Sequence, residues 1–288
     1  MIMHITGKTP VYGLIGDPVA HSLSPLLHNT LAGLMGHDMT YVSFPVAADS
    51  LPAAIAGAYA LGIAGLNITA PYKSAVIPYL AALDPAAARV GVVNTLVAAA
   101  DGYIGHNTDL IGLYLAMKRA GMEVKNADVV ILGAGGAAKA AAFMCVERGA
   151  RRVFILNRSS EKARLLADEL SRTMPTGQIS ALAYDEIERL PEGGLLAIQC
   201  TSAGMHPHTD EAPISDPAFY ARVKAGMDMI YQPAETLFMR EIKKKGGRAE
   251  NGLAMLLYQG IASYELWQGV EISEEYVERV YRNLAAAL

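Results

Sequence analysis

The residues best suited to chemistry in this 288-residue chain are a polar set, Ser22, Ser24, Asn67, Thr69, Lys73, Asn94 and Asp109, lying ahead of a glycine-rich turn, Gly133-Ala-Gly-Gly-Ala-Ala138. Hydroxyls, amides, one lysine and one carboxylate are what a small polyhydroxylated carboxylic acid needs around it. A glycine turn that follows an apolar strand and opens a helix offers backbone N–H groups and the positive end of a helix dipole to a dinucleotide pyrophosphate. Together the two patterns imply an oxidoreductase.

The glycine turn has the context it needs. Val129–Leu132 reads as a buried strand, an Ala-rich helix runs from the turn to Arg148, and Arg152–Leu156 reads as the next parallel strand, a βαβ unit. Ala138 stands at the third glycine position, which serves helix–strand packing and accepts alanine. After the second strand an NAD site would carry an acid for the ribose 2′-hydroxyl, but this chain has Asn157-Arg158-Ser159-Ser160. Arg158 there favours the 2′-phosphate of NADP, and Lys162 adds a second positive charge; the alternative is that both are solvated. Ala197–Cys200 and Ala225–Ile230 read as later strands, and Leu253–Gly269 and Glu274–Leu288 as terminal helices.

Upstream, Val11–Gly16 reads as a strand, Ser24-Pro25 opens a helix through Leu34, Tyr41–Val46 alternates as a strand, Leu51–Ala60 is helical and Gly65–Thr69 strand-like. Pro71 and Lys73 are expected to lead into a further helix, giving β-α-β-α-β-α order. Val92–Ala99 and Tyr103-Ile104 flank Asp101-Gly102, a hairpin signal, and Leu110–Ala120 is expected to be a helix linking two lobes. A lysine at a helix start opposes the helix dipole, so Lys73 is either a solvated residue or a site residue positioned by a carboxylate, which Asp109 offers. Asp109 and Ser24 also have capping readings, each standing where a helix begins.

Composition narrows the class. The net charge of −4 carries no footprint for nucleic acid, and Lys243-Lys-Lys245 reads as a solvated helix end. The hydrophobic share of 52% raises the membrane question, but the longest apolar stretch, Leu51–Leu66, is broken by Pro52, Gly57, Gly62 and Gly65, so no membrane span is expected. The chain's start lacks the basic and apolar regions of a secretory signal. Two cysteines, Cys145 and Cys200, are too few for a disulfide framework and fit a reducing cytoplasm. The histidines do not fall into ligand spacing, His206-x-His208 included, and no metal is assigned.

Read as one collinear series, Gly16-Asp-Pro-Val-Ala-His-Ser-Leu-Ser-Pro25 with His28-Asn29, Asn67-Ile-Thr-Ala-Pro-Tyr-Lys73, Val93-Asn-Thr95, Asn107-Thr-Asp109, Gly133-Ala-Gly-Gly-Ala137, Asn157-Arg158, Tyr231-Gln-Pro233 and Asn251-Gly-Leu-Ala-Met255 through Gln259 resemble the shikimate dehydrogenase family. The resemblance spans nearly the whole chain. It implies an α/β protein with an N-terminal substrate-binding catalytic lobe (1–108), a Rossmann-type NADP-binding domain (109–250) and C-terminal helices (251–288) that pack back on the substrate lobe.

Residue by residue, the resemblance makes Lys73 and Asp109 the catalytic pair. It gives the substrate carboxylate to Ser22 and Ser24, with Tyr231 close by, and the ring hydroxyls to Asn67, Thr69, Asn94, Asp109 and Gln259. It gives the cofactor to Gly133, Gly135, Gly136, Ala137, Asn157, Arg158, Ser159, Lys162 and Gly252. The implied activity is NADP-dependent interconversion of 3-dehydroshikimate and shikimate on the route to chorismate and aromatic amino acids. A quinate or dual-specific enzyme using NAD, and a noncatalytic ligand-binding relative, are the alternatives. The chain departs from the family pattern at His106, Leu110, Gln199 and Ala254; His106 and Leu110 stand where they can reshape the site edge. Oligomeric state is open, a homodimer being the arrangement to test.

Overall fold

The structure, a computed structural model, describes residues 5–288. The chain forms two compact units, one running to Gly112 and resuming over Leu256–Ala287, the other spanning Leu113–Met255.

The first unit is built on β1 (Val11–Gly16), α1 (Ser24–Met35), β2 (Thr40–Pro45), α2 (Leu51–Ala60), β3 (Gly65–Ile68), β4 (Ala82–Leu83), α3 (Pro85–Val90), β5 (Thr95–Ala99), β6 (Gly102–His106) and the start of α4 (Asp109–Arg119). Its strands form one sheet in the order β2-β1-β3-β5-β6-β4. The β2, β1 and β3 pairings are parallel, and β5 returns antiparallel to β3 and hairpins into β6. One sheet face buries Ile15, Leu66, Ile68, Val93, Leu96 and Tyr103. Each such fully buried aliphatic side chain contributes about 1.5–3 kcal/mol. After the second unit the chain returns as α9 (Leu253–Gln268) and α10 (Glu274–Ala285), and α10 packs on α1. Two glycines make α9 fit. A Cβ on Gly260 would stand 2.7 Å from Leu27, and one on Gly65 would stand 2.4 Å from the Trp267 ring, whose Nε1 donates to the Leu96 carbonyl at 2.9 Å.

The segment after Lys73 is not the α-helix expected from Pro71 and Lys73. It runs as turns into a single 3-10 turn, Ile77–Tyr79. The Lys73 carbonyl, which a helix would reserve for a residue four positions on, accepts instead from Val93 N at 2.8 Å, and Pro78 has no N–H to give. Lys73 therefore faces no helix dipole. The strand expected from Val92 begins only at Thr95: Val93 gives its N–H to the Lys73 carbonyl, outside the sheet, and the chain first meets β6 where Asn94 N donates to the His106 carbonyl.

The second unit contains β7 (Asp128–Leu132), α5 (Gly136–Glu147), β8 (Arg152–Leu156), α6 (Ser160–Thr173), β9 (Ile179–Leu182), β10 (Leu195–Gln199), α7 (Pro217–Arg222), β11 (Val223–Asp228), α8 (Leu237–Lys244) and β12 (Arg248–Glu250). The sheet is parallel throughout, in the order β12-β11-β10-β7-β8-β9. Counted from β7 this is the doubly wound order of dinucleotide-binding folds, with the strand order reversing between β7 and β10. Such sheets bind ligands outside the carboxyl ends of the strands at that reversal, where this chain puts its glycine turn.

Candidate active site

Lys73 and Asp109 meet in the first unit. Lys73 Nζ lies 2.7 Å from Asp109 Oδ2, with the carboxylate side chain 5% exposed. Asp109 opens α4 but does not cap it, since Asn107 Oδ1 accepts from Leu110 N at 3.2 Å. Its second oxygen, Oδ1, accepts from Asn94 Nδ2 at 3.0 Å. Both carboxylate oxygens are thus held, and the ammonium is anchored beside a buried anion. Gly112, one turn into α4, explains how the helix comes close enough: a Cβ there would stand 2.7 Å from Gln259 Cβ, and Gln259 Oε1 accepts from Asn94 Nδ2 at 3.2 Å.

Asn67 sits on β3 with a fixed amide. Its Oδ1 accepts from the Tyr41 hydroxyl at 2.8 Å, and its Nδ2 donates toward Asn94 O, Thr95 Oγ1 and Ser263 Oγ at 3.1, 3.2 and 3.0 Å. Tyr41 also neighbours Ser24. The Ser22 and Ser24 hydroxyls lie 3.1 Å apart, and Ser22 Oγ also accepts from Ser24 N. The bend that brings the two hydroxyls together comes from this local turn. Ser24 is not the cap of α1, whose first turn has no side-chain cap and is started by Pro25. Thr69, half-buried at the end of β3, packs its methyl where a Cβ on Gly16 would be, 2.3 Å away.

Of the residues singled out from sequence, Lys73, Asp109, Asn94, Gln259 and Asn67 are therefore joined by hydrogen bonds. Ser22 and Ser24 reach them through Tyr41. Tyr41, Thr95, Thr108 and Ser263 complete the cluster; none was singled out as a site residue, although Ser263 stands four positions after Gln259 on an expected helix and so on the same face. Beneath Tyr41 lies His28, fully buried, its ring stacked on Tyr41 with centroids 4.3 Å apart and tilted against Trp267 at 5.1 Å. Neither ring nitrogen has a hydrogen-bond partner. Burial pulls the imidazole down to about 3, with Asn67 nearby offsetting part of the shift.

In the second unit Gly133 adopts φ +118, a conformation that favours glycine, and a Cβ there would meet the Cys200 backbone at 3.3 Å. Gly135 caps α5 without a side chain, and a Cβ on it would meet nothing within 4 Å. Open space beside uncapped N–H groups at Gly136 and Ala137 is what a pyrophosphate requires, so the turn fits a dinucleotide. After β8, Arg158 is exposed, Asn157 Nδ2 donates to Ser159 O at 3.1 Å, and Ser159 Oγ caps α6 by accepting from Lys162 N at 3.4 Å. Gln199 reaches across the next turn: its Oε1 accepts from Thr201 N at 2.6 Å and its Nε2 donates to Ala203 O at 3.0 Å. Gly252 allows a close backbone crossing, since a Cβ would fall 2.3 Å from Met229 O, and its N–H is given to Ile230 O. Tyr231 is half-buried just after β11. There Asp228, fully buried, accepts from Thr236 Oγ1 at 2.6 Å and Ile230 N at 2.9 Å; burial pushes its carboxyl up to about 7 against those two bonds.

A lysine–carboxylate pair in a mixed α/β unit and a glycine turn in a doubly wound parallel unit define a two-unit, dinucleotide-dependent oxidoreductase. Models of the shikimate dehydrogenase substrate binding domain, of shikimate / quinate 5-dehydrogenase and of the shikimate 5′-dehydrogenase C-terminal domain match residues 14–96, 114–207 and 252–280. The chain belongs to the shikimate dehydrogenase family. The shikimate dehydrogenase (NADP(+)) of Methanothermobacter thermautotrophicus is 39% identical over 280 residues, 96% of this chain and 98% of that protein. Among solved structures, the Thermus thermophilus shikimate 5-dehydrogenase in complex with NADP(H) and shikimate aligns with a TM-score of 0.83 at 30% identity, covering 96% of this chain and 99% of its own. The Corynebacterium glutamicum quinate dehydrogenase in complex with NAD aligns with a TM-score of 0.86 at 27% identity, covering 97% and 99%. Among the described residues no helix is long and apolar enough to cross a membrane.

Proposed function

We propose that this protein catalyses the NADP-dependent, reversible reduction of 3-dehydroshikimate to shikimate, the reductive step on the route to chorismate and the aromatic amino acids, with the first unit holding the substrate and the second the cofactor. The observation that carries the reading is the Lys73–Asp109 pair, 2.7 Å apart and braced by Asn94. NADPH, when bound, supplies the hydride. As the ring carbonyl becomes an alcohol, negative charge grows on its oxygen, and Lys73 Nζ stabilises that charge and gives up a proton to it. Asp109 Oδ2 orients Nζ for this transfer; in the reverse direction the same pair accepts the hydroxyl proton.

Ser22 and Ser24 hold the substrate carboxylate, and Tyr231 is a further residue assigned to it. Asn67, Thr69, Asn94, Asp109 and Gln259 take the ring hydroxyls, so binding energy remote from the reacting carbon fixes its position. Gly133, Gly135, Gly136 and Ala137 receive the pyrophosphate, Gly252 lies against the cofactor, and Arg158 with Asn157, Ser159 and Lys162 receives the 2′-phosphate. The exposed guanidinium of Arg158, with no acid in the Asn157–Ser160 segment, is what favours NADP over NAD.

The test is a matrix of initial rates, shikimate or quinate with NADP or NAD. Shikimate with NADP is expected to give the highest kcat/KM. A higher value for quinate with NAD would replace the proposal with the quinate reading, and no turnover in any arm would leave a ligand-binding protein.

A further inference from the structure

The polar cluster under the Lys73–Asp109 pair has one oxygen on which its protons converge. Ser263, fully buried on α9, places Oγ 2.7 Å from Thr95 Oγ1, 3.1 Å from Thr108 Oγ1 and 3.0 Å from Asn67 Nδ2, and donates its own hydrogen to Gln259 O at 3.0 Å. With that single proton committed to the preceding turn of its helix, Ser263 Oγ can only accept from the rest of the cluster. It has two lone pairs for three donors. Thr95, the nearest, and Asn67 take them, and the Thr108 hydrogen is left to Thr95 Oγ1 at 3.2 Å or Asn94 Oδ1 at 3.3 Å.

Asn94 Oδ1 also accepts from Thr108 N at 2.7 Å, which leaves Asn94 Nδ2 facing Thr108 Oγ1 at 2.9 Å, Asp109 Oδ1 at 3.0 Å and Gln259 Oε1 at 3.2 Å. The Ser263 and Thr95 hydroxyl protons thus each have one direction, and Asn94 turns the N–H side of its amide to the catalytic carboxylate. We propose that Ser263 is a positioning residue: its hydroxyl, committed to α9, holds the Asn67 amide and sets the direction of the Thr95 hydroxyl, and so sets which donors the cluster presents to the substrate's ring hydroxyls. The identity of the substrate rests on the function proposed above; the proton arrangement does not. Loss of the hydroxyl leaves the Asn67 amide only Asn94 O at 3.1 Å and Thr95 Oγ1 at 3.2 Å as acceptors, and sends the Thr95 hydrogen to Thr108 Oγ1 at 3.2 Å or Asn94 Oδ1 at 3.3 Å.

The experiment uses the full-length protein with Ser263→Ala and Ser263→Cys, the second keeping volume while replacing a strong acceptor by a weak one. In the ligand-free protein, side-chain amide spectra of 15N-asparagine-labelled samples, with Asn67 identified by its loss in Asn67→Asp, are expected to show slow hydrogen exchange for wild-type Asn67. Both Ser263 variants should show a shifted, faster-exchanging signal. In steady state both should raise the shikimate KM about fivefold or more while kcat changes less than about threefold and the NADP KM stays within twofold. An Asn67 signal unmoved in both variants overturns the proposal, whether or not the protein turns over shikimate. So does a cysteine variant equal to wild type, which would mean that Ser263 only fills space, or a moved signal with unchanged KM in an active enzyme. An inactive wild type defeats the proposed function alone, because the Asn67 spectra still decide the role of Ser263.

Discussion

Replacing His28 by Phe should remove most of the acid sensitivity of the first unit. In the fold the imidazole is pulled down to about 3 by burial, against 6.5 when free. Between those values the unfolded chain carries a proton there that the folded chain refuses, so the stabilising contribution is complete above pH 6.5 and is lost as the pH falls toward 3. Each pH unit in that window is worth about 1.4 kcal/mol, which makes the loss between pH 7 and pH 4 roughly 3 kcal/mol. A loss of that size is a sizeable share of the stability of an ordinary domain. Phe keeps the stacked position against Tyr41 and Trp267 and cannot titrate. Urea unfolding at pH 4, 5, 6 and 7 would be followed by the fluorescence of Trp267, the only tryptophan and a direct neighbour of the ring. The wild type should lose stability relative to His28→Phe by roughly 1.4 kcal/mol per unit below pH 6. Parallel profiles for the two proteins would refute the reasoning and mean that the imidazole finds a partner or a proton in the folded state.

Lys73→Ala should lower kcat by about 10²–10⁴-fold with a much smaller change in KM, because the ammonium acts mainly in the transition state, and stopped or continuous NADPH absorbance assays would expose a variant that keeps half its rate. Arg158→Ala should weaken NADP binding by roughly 1.5–3 kcal/mol and leave NAD nearly unchanged; equal losses by calorimetry would make Arg158 a loop support. Ser22→Ala with Ser24→Ala should raise the shikimate KM well beyond twofold, and thermal unfolding of Ser24→Ala should show less than the loss of about 1 kcal/mol that removal of a helix cap causes. Asp228 titrates with the opposite sign to His28. Its folded value of about 7 exceeds the free value of 3.8, so its contribution is full below 3.8 and is lost as the pH rises toward 7. Asp228→Asn should therefore gain on wild type as the pH climbs from 4 to 7, and hydrogen exchange in β11 that shows no such gain would count against it.

The glycine turn and the strands around it were readable because each residue there answers to local rules. An apolar run, a glycine that must take positive φ at Gly133 and a helix without a capping side chain are all visible within a dozen positions. Asn67, Lys73, Asn94 and Asp109 were recognisable through collinear motifs, and their placement in one hydrogen-bonded group follows from a sheet whose strand order no local pattern encodes. The helix after Lys73 failed for that reason. Proline and spacing allow a helix there, but a tertiary bond from Val93 takes the carbonyl the helix would need. Ser24 as a cap failed similarly, because its side chain is turned toward Ser22 and Tyr41. Tyr41 becomes part of the site only through the register that lays β1 between β2 and β3, and Ser263 only because α9 returns to the first unit from the far end of the chain.

That return has a consequence during synthesis. The first unit is interrupted after Gly112 and resumes at Leu256, so a ribosome that has released the whole second unit has yet to deliver Gln259, Ser263 and Trp267. Until then Asn67 and Thr95 lack the oxygen that takes their protons, Leu27 lacks Gly260 beside it, and His28 has no indole against its ring. A nascent chain stopped at this point would hold Lys73 and Asp109 together with a finished dinucleotide fold and still lack a closed substrate cluster. The penultimate helix made, α9, is the one that completes the site, and premature termination early in α9 should leave a protein that binds nucleotide without reading the acid.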